Sequence, residues 1–258
     1  MVNFEDSVCL VVTGAGRGYG RALCLAVVPH MHKKSVVILL GRSKDPLEQT
    51  KLFMLQKNSS VTVYIYDGLE CSSLNEDSLS KFVSECVPAL SSTHSLLILH
   101  NCGTVGKPSL KGTDYKLLEA NQYMLINFSS MVAVNNILLK QLSVCAQKTV
   151  VNISSLCAVQ PSKGLSLYCA GKAARDMFFR VAAEECLSVR FLNYAPGPMK
   201  TDMLEEIQSS CYDDVTRDMF KGIQCVKMED SAAKLVTVLR EDKFVSGSHV
   251  DYFDPLPS

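Results

Sequence analysis

No stretch of this 258-residue chain is apolar for the ~18 residues that a membrane-crossing helix needs. The densest run, Val36-Val37-Ile38-Leu39-Leu40, stops at Gly41, so a spanning segment is not expected. Charge of one sign is missing as well. Lys plus Arg (26) balances Asp plus Glu (26), and the broad positive field that non-specific nucleic-acid or anionic-membrane binding requires is absent. Neither is an expected partner. Residues Met1 to Asp6 carry two acids and no basic segment, which is not the pattern of a secretory signal; the expectation is a cytoplasmic protein. Aromatics are sparse at 7%, yet 47% hydrophobic and 20% charged residues describe an ordinary globular chain.

Paired cysteine is also lacking. The eleven cysteines stand singly, from Cys9, Cys24, Cys71, Cys86 and Cys102 onward, with no C-x-x-C spacing. In a reducing compartment they read as small core residues. The one close histidine pair, His30 and His32, diverges on a helix because residues two apart do not face each other. No metal is expected.

What is present is alternation. Val8 to Thr13 is a short apolar run entering a Gly-rich turn, and Gly18 to Met31 takes the longer period of a helix. Ser35 to Leu40 and Asp45 to Gln56 repeat the pair, as do Val61 to Tyr66 and Asn75 to Leu90. Ser95 to Leu99 reads as a fourth strand, Asp114 to Cys145 as a long helical stretch broken near Asn121, and Thr149 to Ile153 as a fifth strand. Leu165 to Leu187 reads as helix, Ser188 to Tyr194 as strand, Ser231 to Leu239 as helix and Ser248 to Phe253 as a last strand. Strands alternating with helices build a parallel sheet covered on both faces. The expectation is one α/β domain over residues 1–258, a doubly wound Rossmann fold with a seven-stranded parallel sheet. The polar, weakly patterned segment 199–228 follows the sixth strand, over the carboxyl ends where ligands bind, and reads as a substrate lid.

The first turn is Thr13-Gly14-Ala15-Gly16-Arg17-Gly18-Tyr19-Gly20. Glycines permit a tight turn and close approach to a pyrophosphate, and the helix that follows offers free N–H groups to the anion. The place of this turn, directly after a strand and opening a helix, points to a dinucleotide. After the second strand comes Gly41-Arg42-Ser43-Lys44, with no acid before Asp45. An acid there would hold the ribose hydroxyls of NAD and repel a 2′-phosphate, whereas Arg42 and Arg17 together suit the phosphate. NADP(H) is the expected cofactor. Tyr168 and Lys172, four apart, share one helix face. A phenol with a pKa near ~10 is a weak acid–base catalyst at neutral pH, and a nearby ammonium is expected to lower it. Thirteen residues upstream, Ser154-Ser155 closes the fifth strand at the edge where a substrate would lie.

These motifs together resemble the short-chain dehydrogenase/reductase family: TGxxxGxG at Thr13 to Gly20, a variant NNAG at His100-Asn101-Cys102-Gly103, Ser155, YxxxK at Tyr168 to Lys172, and Pro196-Gly197. The blocks Val150 to Gly164, Tyr168 to Phe179, Leu192 to Met203 and Ser246 to Asp254 resemble most the sepiapterin-reducing branch of that family. The resemblance implies catalysis by Ser155, Tyr168 and Lys172, with Asn127 holding a water in the proton relay; Asn121 is the competing asparagine. It implies cofactor contacts at Gly14, Ala15, Gly16, Arg17, Gly18, Tyr19, Gly20, Arg42, Ser43, Asp67, Gly68, Asn101, Tyr168 and Lys172, and at the lid start Met199, Lys200, Thr201, Asp202, Met203 and Leu204. Substrate contacts are implied at Ser155, Leu156, Tyr168, Gly197 and Asp251. Two departures, His100 for the first Asn of NNAG and Cys102 for its Ala, bear on the cofactor floor.

By the same resemblance, the Asp251 carboxylate grips a pterin ring, whose 2-amino-4-oxo-pyrimidine edge offers paired N–H donors that two carboxylate oxygens accept. The implied reaction is NADPH-dependent reduction of pterin side-chain carbonyls: sepiapterin to dihydrobiopterin, and 6-pyruvoyl-tetrahydropterin to tetrahydrobiopterin. Tyr168 would be the proton donor, and a homodimer is implied through the helices Gln122 to Cys145 and Leu165 to Leu187. Two readings stay open. One is a broader NADPH carbonyl reductase, for which Asp251 has no use; the other is a catalytically silent NADPH-binding regulator, against which the intact Ser155, Tyr168 and Lys172 weigh.

Overall fold

The structure, a computed structural model, describes residues 2–90 and 93–257. β1 (Val8–Thr13) is buried at every position and feeds α1 (Gly18–Val27), which a 3-10 turn extends to His30. β2 (Val36–Leu40) precedes α2 (Lys44–Lys57), and β3 (Thr62–Tyr66) precedes α3 (Glu76–Cys86). β4 (Ser95–His100) leads to α4 (Leu117–Met124), a π turn (Leu125–Ser129) and α5 (Ser130–Gln141). β5 (Gln147–Ile153) is followed by a 3-10 turn (Leu156–Ala158) and α6 (Ser166–Glu185), the longest helix. β6 (Val189–Ala195), α7 (Asp202–Ser210), α8 (Asp214–Gly222), α9 (Met228–Glu241) and β7 (His249–Asp251) complete the order.

Among the described residues seven strands form one sheet in the order β3-β2-β1-β4-β5-β6-β7, and every neighbouring pair is parallel. The chain starts in the middle of the sheet, runs outward to β3, returns to lay β4 beside β1, and then runs outward the other way. This reversal opens a crevice at the carboxyl ends of β1 and β4, where doubly wound sheets bind ligands.

Alternation along the strands divides the core between the two faces. Val8, Leu10 and Val12 of β1 pack with Leu23 and Val27 of α1 and Leu235 and Leu239 of α9. Cys9 and Val11 point the other way, into a layer with Leu79 and Val83 of α3, Met131 and Val134 of α5 and Phe179 of α6. Leu10 and Ile38 are fully buried, and cutting such a side chain to alanine costs roughly 2–5 kcal/mol. Cys9, Cys24, Cys71, Cys86, Cys145 and Cys211 are buried free thiols, the core role their scatter suggested.

The structure differs from the sequence expectations in three places. The helical stretch is not broken near Asn121; the irregularity is the π turn four residues later, where Asn127 donates to the Tyr123 carbonyl at 3.1 Å and accepts from Thr104 N at 2.8 Å. The last strand ends at Asp251, because Asp251 N donates to Asp254 Oδ2 (2.8 Å) and Phe253 N to Asp251 Oδ1 (2.9 Å), turning the chain. The segment 199–228 holds two short helices, α7 and α8, the first capped by the Thr201 hydroxyl, which accepts from Leu204 N at 3.3 Å.

Candidate active site

The turn after β1 is tied to the loop after β4. Thr13 Oγ1 accepts from the backbone N–H of Asn101 (3.0 Å) and of Cys102 (3.1 Å), while Asn101 Nδ2 donates to the Thr13 carbonyl at 3.2 Å. Gly14 has φ +69°, a conformation side chains disfavour. Gly20 is required for a different reason: a Cβ there would lie 2.1 Å from the Gly14 carbonyl oxygen. The close approach leaves the unpaired N–H groups of α1's first turn beside the Gly-rich loop, a cradle that fits an anionic dinucleotide. Tyr19 does not add its side chain to that cradle. Its ring is buried in the core, with its hydroxyl 3.0 Å from Ser231 Oγ, which leaves its backbone for a nucleotide. Arg21, which the motif does not mark, donates to the Gly16 carbonyl and, at 3.0 Å, to Thr50 Oγ1, bracing the loop on α2.

The ends of β2 and β3 are joined by Gly41 N donating to Tyr66 O (3.0 Å) and Leu69 N to Gly41 O (2.9 Å). Arg42, Ser43, Asp67 and Gly68 therefore gather at one corner. The Glu70 carboxyl beside them is held below its usual range, chiefly by hydrogen bonds from Ser72, with the Arg42 charge adding. Arg17, expected next to Arg42, instead pairs with Asp202 at the start of α7. Both partners are largely exposed, so the attraction is worth at most a small fraction of the fold's stability. It does join two expected cofactor-contact residues directly, the Gly-rich loop to the 199–228 segment.

Ser155, Tyr168 and Lys172 converge where β5 meets α6. Ser155 follows the buried end of β5, and its hydroxyl accepts from Cys157 N at 3.2 Å. Lys172 is buried; its Nζ donates to the Ile153 carbonyl at 2.6 Å and lies 5.7 Å from the centroid of the Tyr168 ring. The expectation that the ammonium lowers the phenol's pKa is corrected. Tyr168 keeps part of its ring exposed, but burial of its hydroxyl raises the pKa well above the usual value; Cys157 adds to the rise, and the Ser155 hydroxyl and Arg175 offset only part of it. Burial also lowers Lys172 to about 7, helped by Arg175 and opposed by Asp176. Desolvation outweighs the pairing of the two groups. Asn127 is buried in the π turn with both side-chain atoms engaged, whereas its competitor Asn121 is exposed on α4.

One turn beyond Lys172, Arg175 is the largest fully buried side chain. It donates to Asn152 Oδ1 (2.7 Å), to the Cys102 carbonyl (2.8 Å) and to the His100 carbonyl (2.8 Å). Asp176 accepts from Asn152 Nδ2 (2.9 Å) and Ser154 Oγ (2.6 Å) and lies 2.6 Å from His249 Nδ1 on β7. These bonds brace the ends of β4, β5 and β7 on α6, a role the sequence motifs did not single out. The available signal was an Arg-Asp pair three and four residues after Lys172, on the helix face that must turn inward. His100 sits in the same network as a neutral ring, lowered to about 3 by burial and then by Arg175.

Strand register sets the distance to Asp251. Ile153 pairs with Tyr194 and Tyr194 with Val250, so the next row runs Ser154, Ala195, Asp251. Asp251 stands at the same sheet edge as Ser155, two strand spacings or about 10 Å away. Pro196-Gly197 lies between them, and Gly197, at φ +77°, is flanked by Val226 and Phe253. Leu156 is exposed on the turn after Ser155. One Asp251 oxygen already accepts from Phe253 N, so the carboxylate is oriented by its own turn.

Residues 8–211 match the short chain dehydrogenase family model. The chain is 38% identical over 255 residues to sepiapterin reductase of Rattus norvegicus, covering 96% of this chain and 97% of that one. It is 36% identical to sepiapterin reductase of Bos taurus, over 95% and 94% of the two chains. It is also 30% identical over 205 residues to an (S)-benzoin-forming benzil reductase of Bacillus subtilis, over 78% of each. Among solved structures it resembles an NAD+-bound xylitol dehydrogenase (TM-score 0.80, 19% identity, 97% and 99% covered) and a short chain dehydrogenase/reductase of Saccharomyces cerevisiae (TM-score 0.77, 24% identity, 96% and 97% covered). At these identities the structural likeness speaks for the fold.

Proposed function

The chain belongs to the short-chain dehydrogenase family, an oxidoreductase that binds a nicotinamide cofactor, and we propose that it is an NADPH-dependent reductase of pterin side-chain carbonyls. One observation carries the reading: Ser155, Tyr168 and Lys172 lie at one end of a sheet edge whose other end, about 10 Å away, is Asp251. That span suits a bicyclic ring held at the acid with its side chain reaching the phenol.

The cradle at Gly14 and Gly20 fits the pyrophosphate, and Arg42 and Ser43, with Asp67 and Gly68 alongside, would take the adenosine end. Arg42 would bind a 2′-phosphate as a charge-assisted contact. NADPH, when bound, supplies the hydride. Tyr168, fully protonated at neutral pH because burial disfavours its phenolate, donates its Oη proton to the substrate oxygen as general acid. Ser155 hydrogen-bonds the same oxygen and stabilises developing negative charge there, typically by a few kcal/mol. Lys172, held on Ile153 O, would hold the nicotinamide ribose. Asn127 fixes the loop after β4 through Thr104, and its backbone in the π turn would hold the relay water.

Asp251 would anchor the pterin ring, and orientation of this kind contributes up to about 7–11 kcal/mol. Sepiapterin and 6-pyruvoyl-tetrahydropterin are the proposed substrates, with dihydrobiopterin and tetrahydrobiopterin as products. Residues 199–228 act as the lid; the Arg17–Asp202 pair would be exchanged for cofactor contacts when it closes. The exposed apolar side chains Leu117, Leu118 and Leu125 near α4 and Met177 and Val181 on α6 form the proposed homodimer face. Among the described residues no helix is long and apolar enough to cross a membrane, in keeping with the proposed cytoplasmic location.

A second reading, a broader carbonyl reductase, is favoured by the benzil reductase relative. NADPH consumption with sepiapterin, with benzil and with neither separates the two. The pterin reading expects sepiapterin to be the better substrate; equal or faster turnover of benzil selects the broader enzyme, and no turnover of either selects a silent NADPH binder.

A further inference from the structure

Two cysteines flank the residues proposed to do the chemistry. Cys157 lies in the 3-10 turn after β5, and its backbone N–H holds the Ser155 hydroxyl at 3.2 Å. Cys169 follows Tyr168 in the first turns of α6. The two side chains pack with Tyr168 against Val105, Leu165, Ile207 and Cys211, where the 3-10 turn lies against the start of α6. Each keeps partial solvent access, unlike the cysteines of the sheet core. The neighbouring Cys157 and nearby backbone N–H groups hold the Cys169 thiol below its usual pKa, and Cys169 together with burial holds Cys157 above it. Two partly exposed thiols in one small cluster beside the phenol are placed to act as an attacking and a resolving cysteine.

We propose that Cys157 and Cys169 form a reversible disulfide under hydrogen peroxide, and that this link switches the reductase off. The Cys169 thiolate attacks the peroxide: an S–O bond forms, the O–O bond breaks, and the departing hydroxide takes up a proton as water, leaving a sulfenic acid. The Cys157 sulfur then attacks that sulfenic sulfur. The S–S bond forms, the S–O bond breaks, and hydroxide leaves with the Cys157 proton as a second water. The thiol pair loses two electrons and two protons, and peroxide is reduced to two waters. A dithiol reductant restores both thiols. The link matters for activity because the two non-bonded sulfurs must close to a bond of about 2 Å. That draws the 157 turn toward α6 and moves Ser155, held by the Cys157 amide, relative to Tyr168.

The test treats the full-length protein with a small excess of hydrogen peroxide and follows turnover alongside peptide mapping without reductant. A linked Cys157–Cys169 peptide is expected before the exposed Cys186 is oxidised. Turnover should fall by about tenfold or more, since small displacements of catalytic groups have effects of that size, and dithiothreitol should restore it. In Cys157→Ser the link cannot close, so Cys169 proceeds to sulfinic acid and the loss is no longer reversed. In Cys169→Ser turnover should resist the same treatment, measured against that variant's own untreated rate. Oxidation of Cys186 with no linked peptide overturns the proposal, as does a Cys157→Ser/Cys169→Ser double variant inactivated at the parent's rate. The peptide readout is independent of which carbonyl the enzyme reduces, so it fails separately from the pterin assignment.

Discussion

Lys172 Nζ lies 5.7 Å from the centroid of the Tyr168 ring and donates at 2.6 Å to the Ile153 carbonyl. Burial, with Arg175 next, lowers this lysine from 10.5 to about 7. Between those two values the unfolded chain binds a proton that the folded protein does not, so stability rises with pH across the window and the cost of the buried charge is greatest below it. Lys172→Met should therefore gain stability over the parent at about pH 6 and lose that advantage by about pH 10. Urea denaturation of both proteins at the two values checks this. A gap that stays constant with pH would show that Lys172 is not desolvated as described.

Arg42 stands at the corner where β2 and β3 end, close enough to Glu70 for its charge to act on that carboxyl. Arg42→Asp should lower the preference for NADPH over NADH by roughly 10–100-fold, the size of one lost charged hydrogen bond, compounded by repulsion. The ratio of kcat/KM for the two cofactors measures it. An unchanged ratio would move the 2′-phosphate contact to another residue.

Gly20 approaches the Gly14 carbonyl too closely for any side chain. Gly20→Ala should cost about 1–3 kcal/mol of stability through overpacking and weaken NADPH binding, because the Gly-rich loop must shift. Thermal unfolding with and without NADPH reads both consequences, and a stable Gly20→Ala protein with parental affinity would refute the close contact.

Asp251 is proposed to hold one end of the substrate only. Asp251→Ala should reduce kcat/KM for sepiapterin by about a hundredfold, the size of effect that misplacing a reacting group produces, while turnover of benzil changes little. Equal losses on both substrates would mean that Asp251 supports the β7 turn rather than the pterin.

The parallel sheet was readable because β1, β2 and β4 are buried on both faces and so appear as unbroken apolar runs. The Gly-rich loop, Ser155, Tyr168 and Lys172 were readable because each occupies a fixed offset from a strand end. The π turn at Asn127 was not, since it depends on a bond to Thr104 that is distant in sequence. Tyr19 was placed among the cofactor residues by its position in the motif, but α1 turns its ring toward Ser231, more than two hundred residues away in the chain. The bracing by Arg175, Asp176 and His249 was invisible for the same reason: it joins three strand ends that only the fold brings together. The order of pKa effects at Tyr168 also needed the structure, because spacing shows that Lys172 is near and does not show how little water is.

The most direct test is the rate of NADPH-dependent reduction of sepiapterin by the parent protein and by Tyr168→Phe, with NADPH affinity measured in parallel. Proton donation by Tyr168 predicts that the variant binds NADPH like the parent and turns over roughly 10²–10⁴-fold more slowly. A Tyr168→Phe enzyme with near-parental turnover would contradict it.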